Sequence, residues 1–160
     1  MSLLPADREL SATGTVTGMA EAQLPIPSSV SVSGRMSRQR RRDTQPEVAI
    51  RKLLHAMGLR YRVTVPIPGI PRRTMDIAFT RAHVAVFVDG CFWHVCPEHA
   101  TSPASNPDWW TRKLTKNQGR DRATNEHLVA LGWQVVRIWE HEDPVEAAGR
   151  IAAVVRSEKG

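Results

Sequence analysis

The chain has 160 residues, enough for one domain with a tail, and its 22 lysines and arginines against 16 acidic residues give a formal charge of +6. A basic chain suggests a polyanionic partner, although charge alone is weak support for one. The two cysteines, Cys91 and Cys96, lie close together beside histidines, which fits a metal site better than a disulfide scaffold. No apolar run of about 18 residues and no signal-peptide pattern occurs, so we expect a cytoplasmic protein without a transmembrane helix.

The first 34 residues differ in composition from the rest of the chain. Residues 1–34 are rich in Ser, Thr, Gly and Pro and show no apolar period, so we expect a disordered tail before a domain over 35–160. Residues 35–42 contain five arginines. We expect this segment to be a solvated arm in the free protein that lies along the phosphates of a nucleic acid on binding. The arginines are Arg35, Arg38, Arg40, Arg41 and Arg42.

Three segments show the signals of helices. Thr44-Gln-Pro-Glu47 predicts a capping box at the start of the first helix, which Gly58 ends. Asn106 followed by proline predicts the cap of the second helix, with Gly119 as a candidate break within it. The three segments are 44–58, 106–131 and 144–155.

Four further segments have the composition of strands. They are 61–65, 75–79, 83–88 and 133–139. The strand over 83–88 is apolar nearly throughout, which indicates a central, buried position. The resulting order, α-β-β-β-α-β-α, predicts an α/β fold with a mixed central sheet flanked by helices.

Asp76 lies within an otherwise apolar strand, and Asp89-Gly-Cys-Phe-Trp-His94 ends the neighbouring one. A buried carboxylate is costly unless a cation or a donor meets it. Adjacent strands would place both segments at one end of the sheet, where hard oxygen ligands suit Mg²⁺. The alternative is an aspartate at a strand edge that faces water.

A second candidate metal site combines two thiols with two imidazoles. Cys91, Cys96, His99 and the distant His141 would complete a tetrahedral zinc set. The spacing is not that of a standard zinc finger, and the zinc deaminase pattern is absent. The alternative is two buried cysteines with unrelated histidines.

Aromatic and basic residues are concentrated in and after the same loop. Apolar wedges that enter between bases are a known way to kink DNA, although Trp109 or Trp110 could instead belong to the core. Trp133 and Trp139 lie in a strand and are expected in the core. The loop and helix residues are Phe92, Trp93, Trp109, Trp110, Arg112, Lys113, Lys116, Arg120 and Arg122.

Several motifs together resemble the very-short-patch repair (Vsr) endonuclease family. They are Met-Ser-Arg-x4-Asp-Thr44, Asp-Gly-Cys-Phe-Trp-His94, Lys113-x3-Asn117-x2-Arg-Asp121 and Gly-Trp-x4-Ile-Trp-Glu140, within residues 36–141. The resemblance implies a restriction-endonuclease-like core of the PD-(D/E)XK type with a structural zinc. It also implies a Mg²⁺-dependent nick beside the thymine of a T:G mismatch, the product of 5-methylcytosine deamination.

The resemblance assigns roles to individual residues. It implies that Asp76 and the backbone carbonyl of Val88 bind Mg²⁺, and that Glu47 lies near the metal-bound water. It implies that His94 is the catalytic histidine and that Asp121 hydrogen-bonds it. It implies that Phe92, Trp93 and Trp110 insert beside the mismatch. From the basic arm and the second helix we expect further DNA contacts at Arg38, Arg41, Lys113, Asn117 and Arg120.

The sequence departs from the family pattern in three places. His141 stands where a family example has cysteine, His99 follows Cys96 instead of lying between the loop ligands, and Asp89 replaces a histidine. The assignment of the two cysteines to zinc follows the family, whereas His99 and His141 complete the set on chemical grounds. A direct metal role for Asp89 stays open.

The expected partner is double-stranded DNA with a T:G mismatch, bound by a monomer in the bacterial cytoplasm at the nucleoid, with other mismatch-repair proteins as candidate partners. Two alternatives remain at this point. One is a related nicking nuclease with a different mismatch or sequence target. The other is a zinc-stabilised DNA-binding module without catalysis.

Overall fold

The computed structural model describes residues 43–99, Thr101 and residues 106–158. The predicted tail over 1–34 and the arginine arm, including Arg38 and Arg41, lie outside the described residues. The described part contains these elements in chain order: α1 (Gln45–Ala56), β1 (Arg62–Pro66), β2 (Thr74–Phe79), β3 (Val84–Asp89), α2 (Pro107–Ala130), β4 (Gln134–Trp139) and α3 (Pro144–Ser157). Every predicted helix and strand is present, and no bound differs from its prediction by more than two residues.

The four strands form one mixed sheet in the order β1-β2-β3-β4. The first two pairs are antiparallel, and β3 pairs with β4 in parallel, with Asp89 opposite Trp139. The start of β2 therefore lies beside the end of β3, and the end of β4 lies on its other side. This topology brings Asp76, on β2, to the carboxyl ends of β3 and β4, and it confirms the predicted α/β class with a mixed sheet.

Helices cover both faces of the sheet, so β3 is buried on both sides. On one face, a cluster that includes Ile50 of α1 and Ile151 of α3 packs against Val86 of β3. On the other face, Leu128 of α2 packs with Phe87. The apolar composition of β3 predicted this central position.

Helix α2 is attached to the sheet by polar contacts as well as by Leu128. Arg73, in the connection before β2, donates to the Thr124 hydroxyl at 2.7 Å and to the Arg120 carbonyl at 3.2 Å. The buried Thr124 hydroxyl itself donates to the Arg120 carbonyl at 2.7 Å. These contacts fix the rotation and height of α2 over its face of the sheet.

The predicted helix caps were wrong in detail. The Thr44 side chain makes no cap hydrogen bond, and Glu47 does not complete a capping box because Arg51, one turn later, gives its carboxylate a charged donor at 3.0 Å. Asn106 precedes α2 with φ of 56° and likewise makes no side-chain cap bond. The Asp143 carboxylate does cap α3, accepting from the backbone N–H groups of Val145 and Glu146.

Helix α2 runs unbroken through Gly119 for 24 residues. One glycine inside a helix costs only about 1 kcal/mol, and the buried Thr124 and Leu128 anchor the helix beyond it. Most of α2 is polar. None of the helices in the described ranges is long and apolar enough to cross a bilayer.

The packing of Leu128 between α2 and the sheet can be tested by its contribution to the free energy of unfolding. Leu128 is fully buried, whereas its neighbour Val129 is 62% exposed. We expect Leu128→Ala to lower the free energy of unfolding by about 2–5 kcal/mol, because it leaves a cavity between α2 and the sheet. Val129→Ala, the matched control, should stay within about 0.5 kcal/mol of the wild type. Urea denaturation followed by circular dichroism measures both, and equal losses would contradict this account of α2.

Candidate active site

Asp76 lies against the end of β3. Its Oδ2 accepts the backbone N–H of Val88 at 2.8 Å. Burial raises the pKa of Asp76 to about 6, with the Val88 hydrogen bond and Arg137 opposing the rise and the charges of Glu47 and Asp89 adding to it. Three carboxylates are therefore close enough to repel one another, an arrangement that a divalent cation relieves.

Glu47 approaches this end of the sheet from the first turn of α1. It is buried, and its Oε1 accepts from the Arg51 guanidinium at 3.0 Å. Arg51 also donates to Asp43 at 2.8 Å, and its backbone carbonyl accepts the Tyr61 hydroxyl at 2.7 Å. The Glu47 carboxylate is thus held in place by a side chain that is itself anchored on both sides.

His94 lies in the loop after β3 and contacts Asp121 on α2. The distance from His94 Nδ1 to Asp121 Oδ2 is 2.6 Å. Because a carboxylate only accepts hydrogen bonds, Nδ1 must carry the proton, and Nε2 is left as the basic nitrogen when the ring is neutral. The arrangement can therefore take a proton from a water molecule placed at Nε2.

The contact between His94 and Asp121 favours the charged form of each residue. Burial lowers the pKa of His94, but the hydrogen bond that His94 donates to Asp121 and the charges of Asp89 and Asp121 outweigh burial, so the pKa of His94 lies above its usual value. Burial raises the pKa of Asp121, but the hydrogen bond and charge of His94, together with Arg137, lower it overall. Asp121 is thus an ionised acceptor at neutral pH.

Asp89 is directed toward His94 and Arg137. This carboxylate is 4% exposed, lies 3.5 Å from His94 Nδ1 and accepts from the Arg137 guanidinium at 2.6 Å. Burial raises the pKa of Asp89, although Arg137 and His94 oppose the rise. Sequence reasoning did not single out Arg137, yet a charged residue inside the apolar strand β4 is the same signal that identified Asp76.

Cys91, Cys96, His99 and His141 form one group, the Cys/His cluster. Their ligand atoms all lie within 4.8 Å of one another. His141 Nδ1 is 3.1 Å from Cys91 Sγ and 3.7 Å from Cys96 Sγ, and Cys96 Sγ is 3.9 Å from His99 Nδ1. These spacings bracket the roughly 3.3–3.8 Å between the ligands of a tetrahedral zinc ion, and two thiols with two imidazoles are a donor set that zinc takes.

The thiols of the Cys/His cluster are held close together without a disulfide. Both cysteines are free and buried. Burial, together with the adjacent Cys96 thiol, raises the pKa of the Cys91 thiol to about 11. A bound cation would displace that proton, as thiol ligands require. The structure thus brings together all four residues that the sequence predicted.

Phe92, Trp93, Trp109 and Trp110 form an aromatic cluster that joins the loop to the start of α2. Phe92 lies edge-on to Trp93 and to Trp110, with centroid distances of 5.1 and 5.2 Å, and Trp109 lies 4.7 Å from Trp110. All four side chains are half-buried. They contact one another and belong to neither of the two main cores. Trp133, in contrast, packs against the core between α2 and the sheet.

Of the polar and basic α2 residues predicted to contact DNA, one supports the neighbouring loop and the others face solvent. Asn117 donates to the Trp93 carbonyl at 3.2 Å, so it also supports the aromatic loop. Lys113 and Arg120 are exposed along the helix. Sequence reasoning missed Asn125 and Thr124, which contact Arg137 and Arg73, because a polar residue on a polar helix gives no signal by itself.

Comparison with known proteins places this site in a family. The family profile described as DNA mismatch endonuclease Vsr matches residues 29–99. The type II nicking enzyme V.NaeI of Lentzea aerocolonigenes is 40% identical over 153 residues, which cover 94% of this chain and 90% of that enzyme.

Two other relatives agree with this match. The type II nicking enzyme V.XorIIP of Xanthomonas oryzae pv. oryzae is 38% identical over 67% of this chain and 77% of its own length. The DNA mismatch endonuclease Vsr of Escherichia coli is 36% identical over 62% of each chain. The chain therefore belongs to the Vsr family of DNA mismatch endonucleases, and it is a DNA-nicking endonuclease.

Proposed function

We propose that this enzyme nicks one DNA strand beside the thymine of a T:G mismatch, as the first step of very-short-patch repair of deaminated 5-methylcytosine. The observation that carries the proposal is the 2.6 Å contact between His94 and Asp121, with Asp89 3.5 Å from His94 Nδ1. Asp89 and Glu47 in turn lie close enough to Asp76 for their charges to raise its pKa. The target follows from the family resemblance and from the name of the Escherichia coli relative, a mismatch endonuclease.

In this proposal His94 is the general base. Asp121 holds the proton on Nδ1, so the lone pair of Nε2 accepts a proton from the attacking water. General-base help of this kind typically contributes about 10²–10⁴ in rate. The products would be a 5′-phosphate and a 3′-hydroxyl.

The acidic residues at the end of the sheet would hold the catalytic cation. Asp76, the backbone carbonyl of Val88 and, through water, Glu47 are oxygen donors of the kind that Mg²⁺ prefers. When bound there, Mg²⁺ would supply charge that polarises the scissile phosphate and offsets the charge on the leaving oxygen. The core that carries these residues would be of the PD-(D/E)XK type.

The Cys/His cluster would hold a structural zinc. Its two buried thiols and two imidazoles form a closed four-ligand set without an open position for substrate. Since His94 lies between Cys91 and Cys96 in the chain, the ion would fix the loop that carries the base.

DNA binding would use the basic residues first and the aromatic cluster second. Lys113 and Arg120 on α2, with Arg38 and Arg41 of the arm, would contact phosphates without reading sequence. Phe92, Trp93 and Trp110 would then enter at the mismatch, where unstacking costs least. We further propose that a monomer acts at the nucleoid in the bacterial cytoplasm, with other mismatch-repair proteins as candidate partners.

The strongest alternative is a nicking enzyme for a different mismatch or sequence context. It is favoured by the match to V.NaeI, named a type II nicking enzyme, over nearly the whole chain. The other alternative, a DNA-binding module without catalysis, does not stand, because the chain belongs to an endonuclease family.

A panel of labelled duplexes tests the target. We expect a single-strand nick in a T:G duplex, none in the matched T:A duplex, and loss of nicking when EDTA replaces Mg²⁺. Denaturing gels report which strand is cut and where. Preferential cutting of another mispair would establish the alternative enzyme, and cutting of T:G and T:A duplexes at equal rates would exclude mismatch recognition.

Replacing the base tests the mechanism. We expect His94→Ala to lower the single-turnover nicking rate at saturating DNA by about 10²–10⁴-fold, while the Kd for mismatched DNA stays unchanged. His55→Ala is the matched control, because His55 is exposed at the end of α1 and the proposed chemistry does not use it. Full activity of His94→Ala would remove His94 from the mechanism.

Metal content tests the Cys/His cluster separately from the catalytic site. We expect mass spectrometry of the purified protein to find one zinc per chain, and Cys96→Ser to lose that zinc and lower the melting temperature. Asp76→Asn should keep the zinc while abolishing the nick. A wild-type protein without zinc, folded and active, would show that the cluster binds another ion or none.

A further inference from the structure

Four side chains, one of them the proposed base His94, form a closed ring. Arg137 Nη1 donates to Asp89 Oδ2 at 2.6 Å, and Arg137 Nη2 lies 3.5 Å from Asp121 Oδ1. On the other side, His94 Nδ1 is 2.6 Å from Asp121 Oδ2 and 3.5 Å from Asp89 Oδ1. Each carboxylate therefore presents one oxygen to the guanidinium and the other to the imidazole.

The carboxylates of Asp121 and Asp89 both face the single N–H of the His94 imidazole. His94 Nδ1 carries a single N–H, and two carboxylates face it, but 3.5 Å from Asp89 is too long for a good hydrogen bond. Asp89 is buried and needs a charged donor, which Arg137 provides at its other oxygen. Without Arg137, the nearest remaining donor for Asp89 in the ring would be His94.

Arg137 is fixed by more than the ring. Its Nε donates to Asn125 Oδ1 on α2 at 3.1 Å, and its guanidinium carbon lies 4.9 Å from the centre of the Phe87 ring. A planar guanidinium with several donors can bridge Asp89, Asp121 and Asn125 at once, whereas a lysine ammonium is a point charge that cannot span them. Arg137 thereby links β4, the end of β3 and α2 around His94.

We propose that Arg137 is a positioning residue for His94: its guanidinium holds the Asp89 carboxylate away from Nδ1 and keeps Asp121 in place as the sole hydrogen-bond acceptor of the imidazole. This inference rests on the proposed role of His94 in nicking. Arg137 acts through the two aspartates and touches neither the water nor the phosphate in this scheme.

The test uses three variants, two at Arg137 alone and one that also changes Asp89, together with a control variant at another arginine. Arg137→Lys keeps a positive charge beside the buried Asp89, so the protein should fold. Arg137→Met removes the charge, and Arg137→Met with Asp89→Asn also removes the competing carboxylate. Arg150→Met is the control, because Arg150 donates to the backbone carbonyl of Arg137 from α3 and lies outside the ring.

The readouts are the melting temperature, the Kd for a T:G duplex and the single-turnover nicking rate at saturating DNA. We expect Arg137→Lys and Arg137→Met to lower the rate about 10- to 100-fold with the Kd unchanged, because a misplaced base loses rate and not binding. The double variant should recover part of the rate lost in Arg137→Met. Arg150→Met should match the wild type.

Three results would overturn the inference. A folded Arg137→Lys that nicks at the wild-type rate would show that the bridging guanidinium is dispensable. An increase in Kd with no change in the rate at saturation would make Arg137 a DNA contact. No recovery in the double variant would remove Asp89 from the explanation. A wild type that nicks no duplex would contradict the proposed function itself. A wild type that nicks, with position-137 variants that nick equally fast, would contradict only the role of Arg137.

Discussion

The contact between the His94 imidazole and the Asp121 carboxylate is the constraint on which the site depends. The two residues are 27 positions apart, one on an irregular loop and the other on a long helix, and their side chains meet at 2.6 Å. A helix that slid along the sheet by one residue would move Asp121 by about 1.5 Å and break this geometry. The fold must therefore fix α2 in both rotation and height.

Polar contacts along one face of α2 help to fix its position, together with the packing of Leu128. Asn117, Asp121 and Asn125 follow one another at intervals of four residues, so they share one face of α2. Asn117 contacts the loop carbonyl of Trp93, and Asn125 contacts Arg137 on β4. Hydrogen bonds are directional, so this face specifies one position of the helix where an apolar stripe would tolerate small shifts.

The sequence predicted the helices, the strands and the motif residues, but it did not predict which polar side chains pair across the fold. Apolar alternation and turn residues located every strand, and motifs located His94 and Asp121. The link from Asp89 to Arg137 was not predictable, because it requires the parallel register of β3 and β4, which places Phe87 opposite Arg137. The caps at Thr44 and Asn106 were predicted wrongly, because local patterns do not show which partner a side chain will find.

The Cys/His cluster brings both ends of the loop after β3 close to the end of β4. The parallel pairing brings the ends of β3 and β4 together, so His141, just beyond β4, reaches the thiols of Cys91 and Cys96. His94 lies between those two cysteines in the sequence, and Asp121 contacts it from α2. In the proposed function, a zinc ion bound by this cluster would hold the short loop at two points. His94, met by Asp121 from α2, would then have little freedom left, as a general base aimed at one water molecule requires.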